Sequence, residues 1–241
     1  MDAADGRLMS YVLRHALPRA IERGVTNTLT ADVYNAAGAQ QTASAGTLTL
    51  YAGSKLILDA VAVTSAGAPT SHTLAAGSTS GESLSDSWLE VWALTIGGTV
   101  YTFRRDAYLV RHVLYPTITD TDLIELHSDL AALRDSDQAS YETQRDAAWS
   151  RVQHRLIANG RRPELILSSW ALREYHRAVT LEILFTDFAS SSGDGRYAEL
   201  AEHYREVAEV EWARLPLRYD GDEGGTQEAD DKATAQPIMY L

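Results

Sequence analysis

The sequence predicts an α+β protein of two domains, a β-rich part followed by a helical part. Up to Val113, β-branched and aromatic residues alternate or form short blocks between Gly, Ser and Thr clusters, which is typical of strands and turns. After Pro116, apolar residues recur at spacings of three and four, which is typical of helices. The predicted parts are an N-terminal helix in 1–24, an immunoglobulin-like β-sandwich in 25–115, a bundle of about four helices in 116–215 and an extended tail in 216–241.

Composition limits the classes of protein. A chain of 241 residues with 45% hydrophobic residues can bury a sizeable core, and the lack of cysteine excludes disulfides and thiolate metal sites. No apolar run approaches the roughly 18 residues that span a membrane, and charges interrupt residues 1–25 where a signal peptide would be apolar. We therefore expect a soluble intracellular protein. A net charge of −12 argues against a general nucleic-acid binder.

The first predicted element is a short amphipathic helix over 7–23. Its apolar residues lie three and four apart, Pro18 would kink or end it, and Gly24 would stop it. His15 lies on the apolar face of this helix, where we expect it to pack rather than to bind a ligand.

Residues 25–113 are predicted to form strands and turns. Gly97-Gly98 lies between two apolar runs, and glycine tolerates the positive φ angles of a two-residue hairpin turn. Trp88 and Trp92 lie four apart, so they share one strand face and are expected in the core. The number and spacing of strands favour a sandwich of immunoglobulin size. The predicted strands are 26–34, 47–51, 55–64, 70–75, 87–96, 99–105 and 107–113.

The loops at 35–46 and 76–87 leave a second interpretation open. They are rich in Ser, Thr, Gly and Ala, and such loops can bind glycans or proteins as well as simply connect strands. A β-sandwich binding module that recognises a glycan or a protein through these loops is therefore an alternative interpretation of the sequence.

Helical structure is predicted to begin just after Pro116. Thr119 is a suitable N-cap, Asp122 stands at the capping-box position, and Ile118 and Leu123 stand at the two positions of a hydrophobic staple. Four helices are predicted, over about 120–134, 136–159, 163–188 and 196–215. The third is apolar on nearly every side, so we expect it to be enclosed by its own bundle or by neighbouring subunits.

The last predicted helix carries an acidic stripe. Glutamates recur along it at steps of three and four, namely at Glu199, Glu202, Glu206 and Glu209. Two interpretations stay open: a solvated helix face, or a face that lines the lumen of a ring or meets a basic partner.

The tail combines two kinds of sequence. Its middle is acidic and glycine-rich, with too little apolar surface to fold alone, and it closes with a compact apolar peptide. We expect this peptide to dock into a partner chain through Pro237, Ile238, Met239, Tyr240 and Leu241.

No motif predicts catalysis, a cofactor or a metal. Phosphate-binding, dinucleotide-binding and zinc-protease motifs are absent from the sequence, and GSTSG at 77–81 has threonine where a nucleophile elbow needs serine. Glu199 and Glu202 have di-iron spacing, but His203 follows Glu202 directly and would not face them. The sequence therefore predicts a protein that is not an enzyme; a metal-dependent enzyme in the bundle is the third-ranked alternative.

Residues 88–130, WLEVWALTIGGTVYTFRRDAYLVRHVLYPTITDTDLIELHSDL, resemble the head-to-tail connector (adaptor) proteins of long-tailed bacteriophages. The later runs RRPELILSSWALREYHRAV and YAELAEHYREVAEVEWARL are similar in layout to the helical body of these adaptors. The resemblance covers about 88–215, and the β domain departs from the smallest adaptors, which are purely helical.

The resemblance implies a structural virion protein at the neck between capsid and tail, assembled in the host cytoplasm. It implies a homo-oligomeric ring, typically a dodecamer, that lies under the portal protein, extends the DNA channel and meets neck or tail-completion proteins. DNA would pass without sequence-specific binding and no membrane would be involved. Residues 216–241 would reach the portal, and the acidic stripe would face the channel.

Overall fold

The computed structural model describes residues 11–15, 17–65, 67, 69–134 and 138–225. The fold is α+β, as predicted, and the chain divides into two compact units, Met1–Val113 and Leu114–Leu241. The strands of the first unit are β1 (Val12–Leu13), β2 (Arg19–Glu22), β3 (Asn27–Ala31), β4 (Val33–Tyr34), β5 (Gln40–Gln41), β6 (Ala45–Ala52), β7 (Lys55–Ala62), β8 (Thr70–Leu74), β9 (Ser85–Ile96) and β10 (Thr99–Val110).

The first unit is built around the long hairpin of β9 and β10. These strands lie inside a five-stranded sheet of order β2-β10-β9-β6-β7, in which β2 runs parallel to β10 and the other neighbours are antiparallel. The smaller sheets are β1-β4-β5 and β3-β8. The immunoglobulin-like packing of these sheets stays a prediction.

The predicted hairpin turn is confirmed. Ile96 pairs with Thr99, and Gly97 and Gly98 have φ angles of 58° and 83°, the positive values that a type I′ turn requires. Trp88 and Trp92 are both buried, as predicted, because alternate residues of β9 face the core.

A buried ion pair fastens the edge strand β2 to the sheet. Glu90 of β9 is fully buried, and its Oε1 accepts a hydrogen bond from Nε of Arg19 at 2.5 Å. Its Oε2 accepts one from Nε1 of Trp92 at 2.9 Å. Both carboxylate oxygens are therefore satisfied, as a buried charge requires.

The prediction of a helix over 7–23 is wrong. The described residues of that range contain the strands β1 and β2 instead. Pro18 lacks the N–H that a helix interior needs, and the chain beyond it pairs with Ala107–Val110 while burying Ile21. His15, which we expected to pack on the helix, is exposed.

The second unit contains five α-helices within its described residues. These are α1 (Asp120–Ile124), α2 (Leu130–Leu133), α3 (Glu142–Ala158), α4 (Arg173–Ser192) and α5 (Gly195–Ala213), with 3₁₀ turns at Pro163–Leu165 and Ser169–Leu172. The first predicted helix is split into α1 and α2. His127 lies between them, where it packs against Phe185 and its Nε2 is 2.6 Å from the hydroxyl of Tyr204.

The third predicted helix begins ten residues later than predicted, at Arg173 rather than at Pro163. Residues 165–167 pair instead with the chain that follows α5. Leu167 N–H donates to the carbonyl of Arg218 at 3.0 Å, and Asp220 N–H donates to that of Leu165 at 2.9 Å. Because these backbone groups bond to a distant segment, they cannot form helical bonds.

The predicted start of α1 is confirmed. The backbone N–H of Thr119 donates to the Asp122 carboxylate at 2.6 Å, and Ile118 and Leu123 lie in one buried cluster. Burial opposes ionisation of Asp122, but hydrogen bonds from Thr119 and the charge of Arg173 outweigh it and lower the pKa of Asp122.

The helix α4 is enclosed by its own unit, which decides between the two alternatives for its apolar sequence. Aromatic and aliphatic side chains from most of its circumference are buried within this single chain, including Tyr175, Val179, Leu181, Leu184 and Phe185. Neighbouring subunits are not needed to cover them.

The tail begins later than predicted. Tyr219 and Asp220 are buried, Tyr219 forms a β-bridge with Ile166, and Gly225 N–H donates to Oδ1 of Asp220 at 2.9 Å. Residues 216–225 are thus part of the helical unit, because burial of Tyr219 holds them against it. The predicted docking residues 237–241 lie outside the described residues.

Candidate interaction surfaces

The predicted acidic stripe is exposed along its whole length, but two of its four carboxylates are neutralised. Glu202 forms an ion pair with Arg205 one turn away, and Glu209 binds the guanidinium of Arg155 through two hydrogen bonds of 2.7 and 2.6 Å. Glu199 and Glu206 form no ion pair with any described residue. The four carboxylates therefore differ in charge environment, because Arg155 reaches Glu209 from another helix.

Arg155 is the centre of a clamp between α3, α4 and α5. Its guanidinium donates to the hydroxyl of Tyr175 at 3.0 Å and lies 4.5 Å from the ring centroid of Trp212. The hydrogen bonds with Glu209 raise the pKa of Arg155, and they lower the pKa of Glu209. A carboxylate and a guanidinium stabilised in their charged forms hold helices together and are unsuited to proton transfer.

A second clamp lies farther along the same helices. Glu182 of α4 accepts a hydrogen bond from Arg151 of α3 at 2.9 Å and one from Arg205 of α5 at 3.4 Å. The two clamps show that α3 and α5 flank α4 and run antiparallel to it. The end of α3, the start of α4 and the end of α5 therefore lie at one end of the helical unit.

This end carries large exposed apolar side chains. Trp170 is 65% exposed just before α4, Val210 is 45% exposed in the last turn of α5, and Ile157 is 36% exposed in the last turn of α3. Tyr115 is 59% exposed and lies beside Trp170, since its N–H donates to the side chain of Ser169 at 2.9 Å. Trp170 had been assigned to an enclosed helix; its exposure is a correction.

The same end is rich in arginine. We call it the arginine end and define it as the four apolar residues above together with Arg161, Arg162, Arg173, Arg214 and Arg218. Arg173 lies over the ring of Trp170, 5.1 Å from its centroid, and Arg162 pairs with the buried Glu164 at 2.8 Å. Arg161, Arg214 and Arg218 form no ion pair with a described residue. Sequence spacing did not reveal this cluster, because its members come from four separate segments.

The described residues offer little for catalysis. No three His, Asp or Glu side chains among them are arranged to hold a metal ion, and His203, Glu199 and Glu202 are all exposed. His176 is buried against Trp149, with its Nε2 3.0 Å from the carbonyl of Arg145, and burial lowers its pKa. In the part of the chain that the structure covers, no helix is both long and apolar enough to cross a membrane.

The loops of the alternative interpretation are held by their own polar groups. Asn35 accepts hydrogen bonds from the N–H groups of Ala37 and Ala39, and the buried Thr79 accepts one from Gly24 at 2.9 Å. Neither loop contains an aromatic residue that could stack on a sugar ring.

Comparisons of the chain with protein-family models, with curated proteins and with solved structures gave no match.

Proposed function

We propose that this protein is a head-to-tail adaptor of a long-tailed bacteriophage, a structural virion protein that forms a ring under the portal, extends the DNA channel and joins capsid to tail. The proposal starts from the sequence resemblance over 88–215. The quoted runs cover the β9–β10 hairpin, the capped start of α1, the two 3₁₀ turns with the first seven residues of α4, and most of α5.

The observation that carries the proposal is the exposed face of α5. Glu199 and Glu206 stand seven residues apart, hence on one side of the helix, and neither is neutralised by a described residue. A negative surface repels phosphate, so it suits the wall of a channel through which DNA must slide without adhering. Glu202 and Glu209 contribute less to this wall, because arginines neutralise them.

The remaining parts have roles that follow from the same proposal. The β unit, with the sheets packed as an immunoglobulin-like sandwich, forms a separate domain on the ring that meets neck or tail proteins. The segment Pro237–Leu241 docks into the portal, and many weak copies acting together give tight attachment. Burial of α4 within one chain removes one reason to expect a ring, so the ring is inferred from the sequence resemblance and not from this helix.

The test is the mass of the purified protein in solution, measured by light scattering alone and after mixing with a portal ring. We expect either a ring, or a monomer that joins the portal in many copies. A chain shortened to end at residue 232 should keep its circular dichroism spectrum and fail to join the portal. A monomer that ignores every portal tested would contradict the proposal and favour a binding module acting through 35–46 or 76–87.

A further inference from the structure

The exposed residues of the arginine end are of the types that form protein-binding surfaces. Trp, Tyr and Arg are the residues that dominate the energy of protein interfaces. Arg173 lies over the ring of Trp170, and the Ser168 hydroxyl fixes the backbone there by accepting a hydrogen bond from the Trp170 N–H at 3.2 Å. Exposed apolar side chains that cluster in this way mark a contact site.

The charge of this end predicts the chemistry of its occupant. The whole protein has a net charge of −12, yet Arg161, Arg214 and Arg218 form no ion pair with any described residue, although acidic residues such as Glu211 and Asp222 lie on the same segment as two of them. A complementary occupant would combine acidic groups with apolar side chains.

One segment of the chain itself has that combination. Residues 226–241 contain Glu228, Asp230 and Asp231, and five residues after Lys232 they continue with Pro-Ile-Met-Tyr-Leu. The order of acidic and then apolar residues matches a surface on which arginines surround an exposed tryptophan.

This segment also starts from the right place. The hydrogen bond from Leu167 N–H to the Arg218 carbonyl anchors the chain three residues from Trp170, and the described chain continues from there to Gly225. Pro237 lies twelve positions after Gly225, which allows a reach of about 40 Å at roughly 3.4 Å per residue. Length therefore does not prevent the apolar residues from returning to this end.

We propose that residues 226–241 bind the arginine end of their own chain, with the acidic residues pairing with the arginines and the apolar residues covering Trp170. This inference does not depend on the adaptor function. Binding within one chain is favoured because a tethered segment has a high effective concentration. A portal that captures the segment 237–241 would then have to release it from Trp170 first.

Trp170 provides a selective probe of this contact. The other tryptophans, Trp88, Trp92, Trp149 and Trp212, are all buried, so acrylamide quenching of fluorescence in the full-length protein reports mainly on Trp170. If the segment covers Trp170, the unaltered protein shows little quenching. The double variant Ile238→Asp, Tyr240→Asp should gain a readily quenched component, with a several-fold higher quenching constant, and Trp170→Phe should remove that component.

A charge reversal tests the second half of the contact. Arg218→Glu should expose Trp170 to acrylamide as the tail variant does, whereas Arg104→Glu, at an exposed position in the first unit, should not. Raised salt should have the same effect as Arg218→Glu, because it screens exposed charges.

Two results would overturn the proposal. Equal quenching of the unaltered protein and the tail variant would show that the segment does not cover Trp170. Protection that disappears on dilution would show that a second copy supplies the segment, so that binding is not within one chain. Neither result depends on whether a portal is bound, so failure here is distinct from failure of the adaptor function.

Discussion

Each unit of this protein contains an arginine–glutamate contact of similar length in very different surroundings. In the first unit, Arg19 meets Glu90 at 2.5 Å and the glutamate side chain is 0% exposed. In the second, Arg155 meets Glu209 at 2.6 Å and the glutamate side chain is 61% exposed. A buried charge depends on its partner because water cannot reach the site and take the partner's place. An exposed charge is solvated whether or not its partner is present. Burial, rather than distance, therefore determines which of the two contacts costs more stability when it is broken.

The largest loss of stability is expected from Glu90→Gln. The substitution keeps the shape of the side chain but leaves the Arg19 charge buried without its counterion, so the free energy of unfolding of the first unit should fall by about 3–5 kcal/mol. Urea denaturation followed by tryptophan fluorescence measures this, since Trp88 and Trp92 lie in the same sheet.

A double variant separates charge from shape at this position. Arg19→Met combined with Glu90→Leu removes both charges and should recover much of the stability lost by Glu90→Gln, because apolar replacements of a buried pair are often neutral. A double variant as unstable as the single one would show that the uncompensated charge is not the cause.

A smaller effect is expected from Gly98→Val in the β9–β10 turn. A Cβ at Gly98 would meet no atom within 4 Å, so the cost arises from its φ of +83° alone and should be about 1–3 kcal/mol. The matched control is Gly77→Val, where the added Cβ also meets nothing and φ is not positive. Equal melting temperatures for the two variants would contradict the turn conformation.

The helical unit should lose stability in acid through His176. Burial lowers its pKa below the ordinary value of 6.5, so the unfolded state takes up a proton more readily than the folded state. The stability contributed by neutral His176 is complete above pH 6.5 and is lost as the pH falls through the lower, folded-state pKa. Urea titrations from pH 8 to pH 5 should show this decline, and His176→Asn should reduce its slope. An unchanged slope would assign the decline to other groups.

The features that the sequence predicted correctly depend on neighbours in the chain. The long strands β6, β7 and β9, the turn at Gly97-Gly98 and the start of α1 at Thr119 all follow from residues within a few positions of one another. The period-two alternation in β9 and the capping box at Thr119 are both contained in the local sequence. The tertiary contacts of these segments are consistent with that local preference.

The features that it missed depend on residues far apart in the chain. Residues 165–167 do not join an α-helix because their backbone bonds to residues 218–220, and β2 forms because it pairs with β10, more than eighty residues later in the chain. The arginine end contains side chains from four segments, and Arg155 neutralises Glu209 across 54 residues. Periodicity within one segment contains no information on such contacts.

The smallest effect is expected from Glu209→Gln, the counterpart of the first substitution. Gln can still accept a hydrogen bond, and Arg155 keeps its contacts with Tyr175 and Trp212, so the loss should be under about 1 kcal/mol and should shrink further in high salt. Arg155→Ala should cost more, because it removes the packing of the guanidinium and its stem on two aromatic rings. Chemical denaturation of both variants at low and high salt measures the difference. A loss for Glu209→Gln as large as that for Glu90→Gln would mean that the Arg155 clamp excludes water despite its exposure, and burial would no longer explain the difference between the two units.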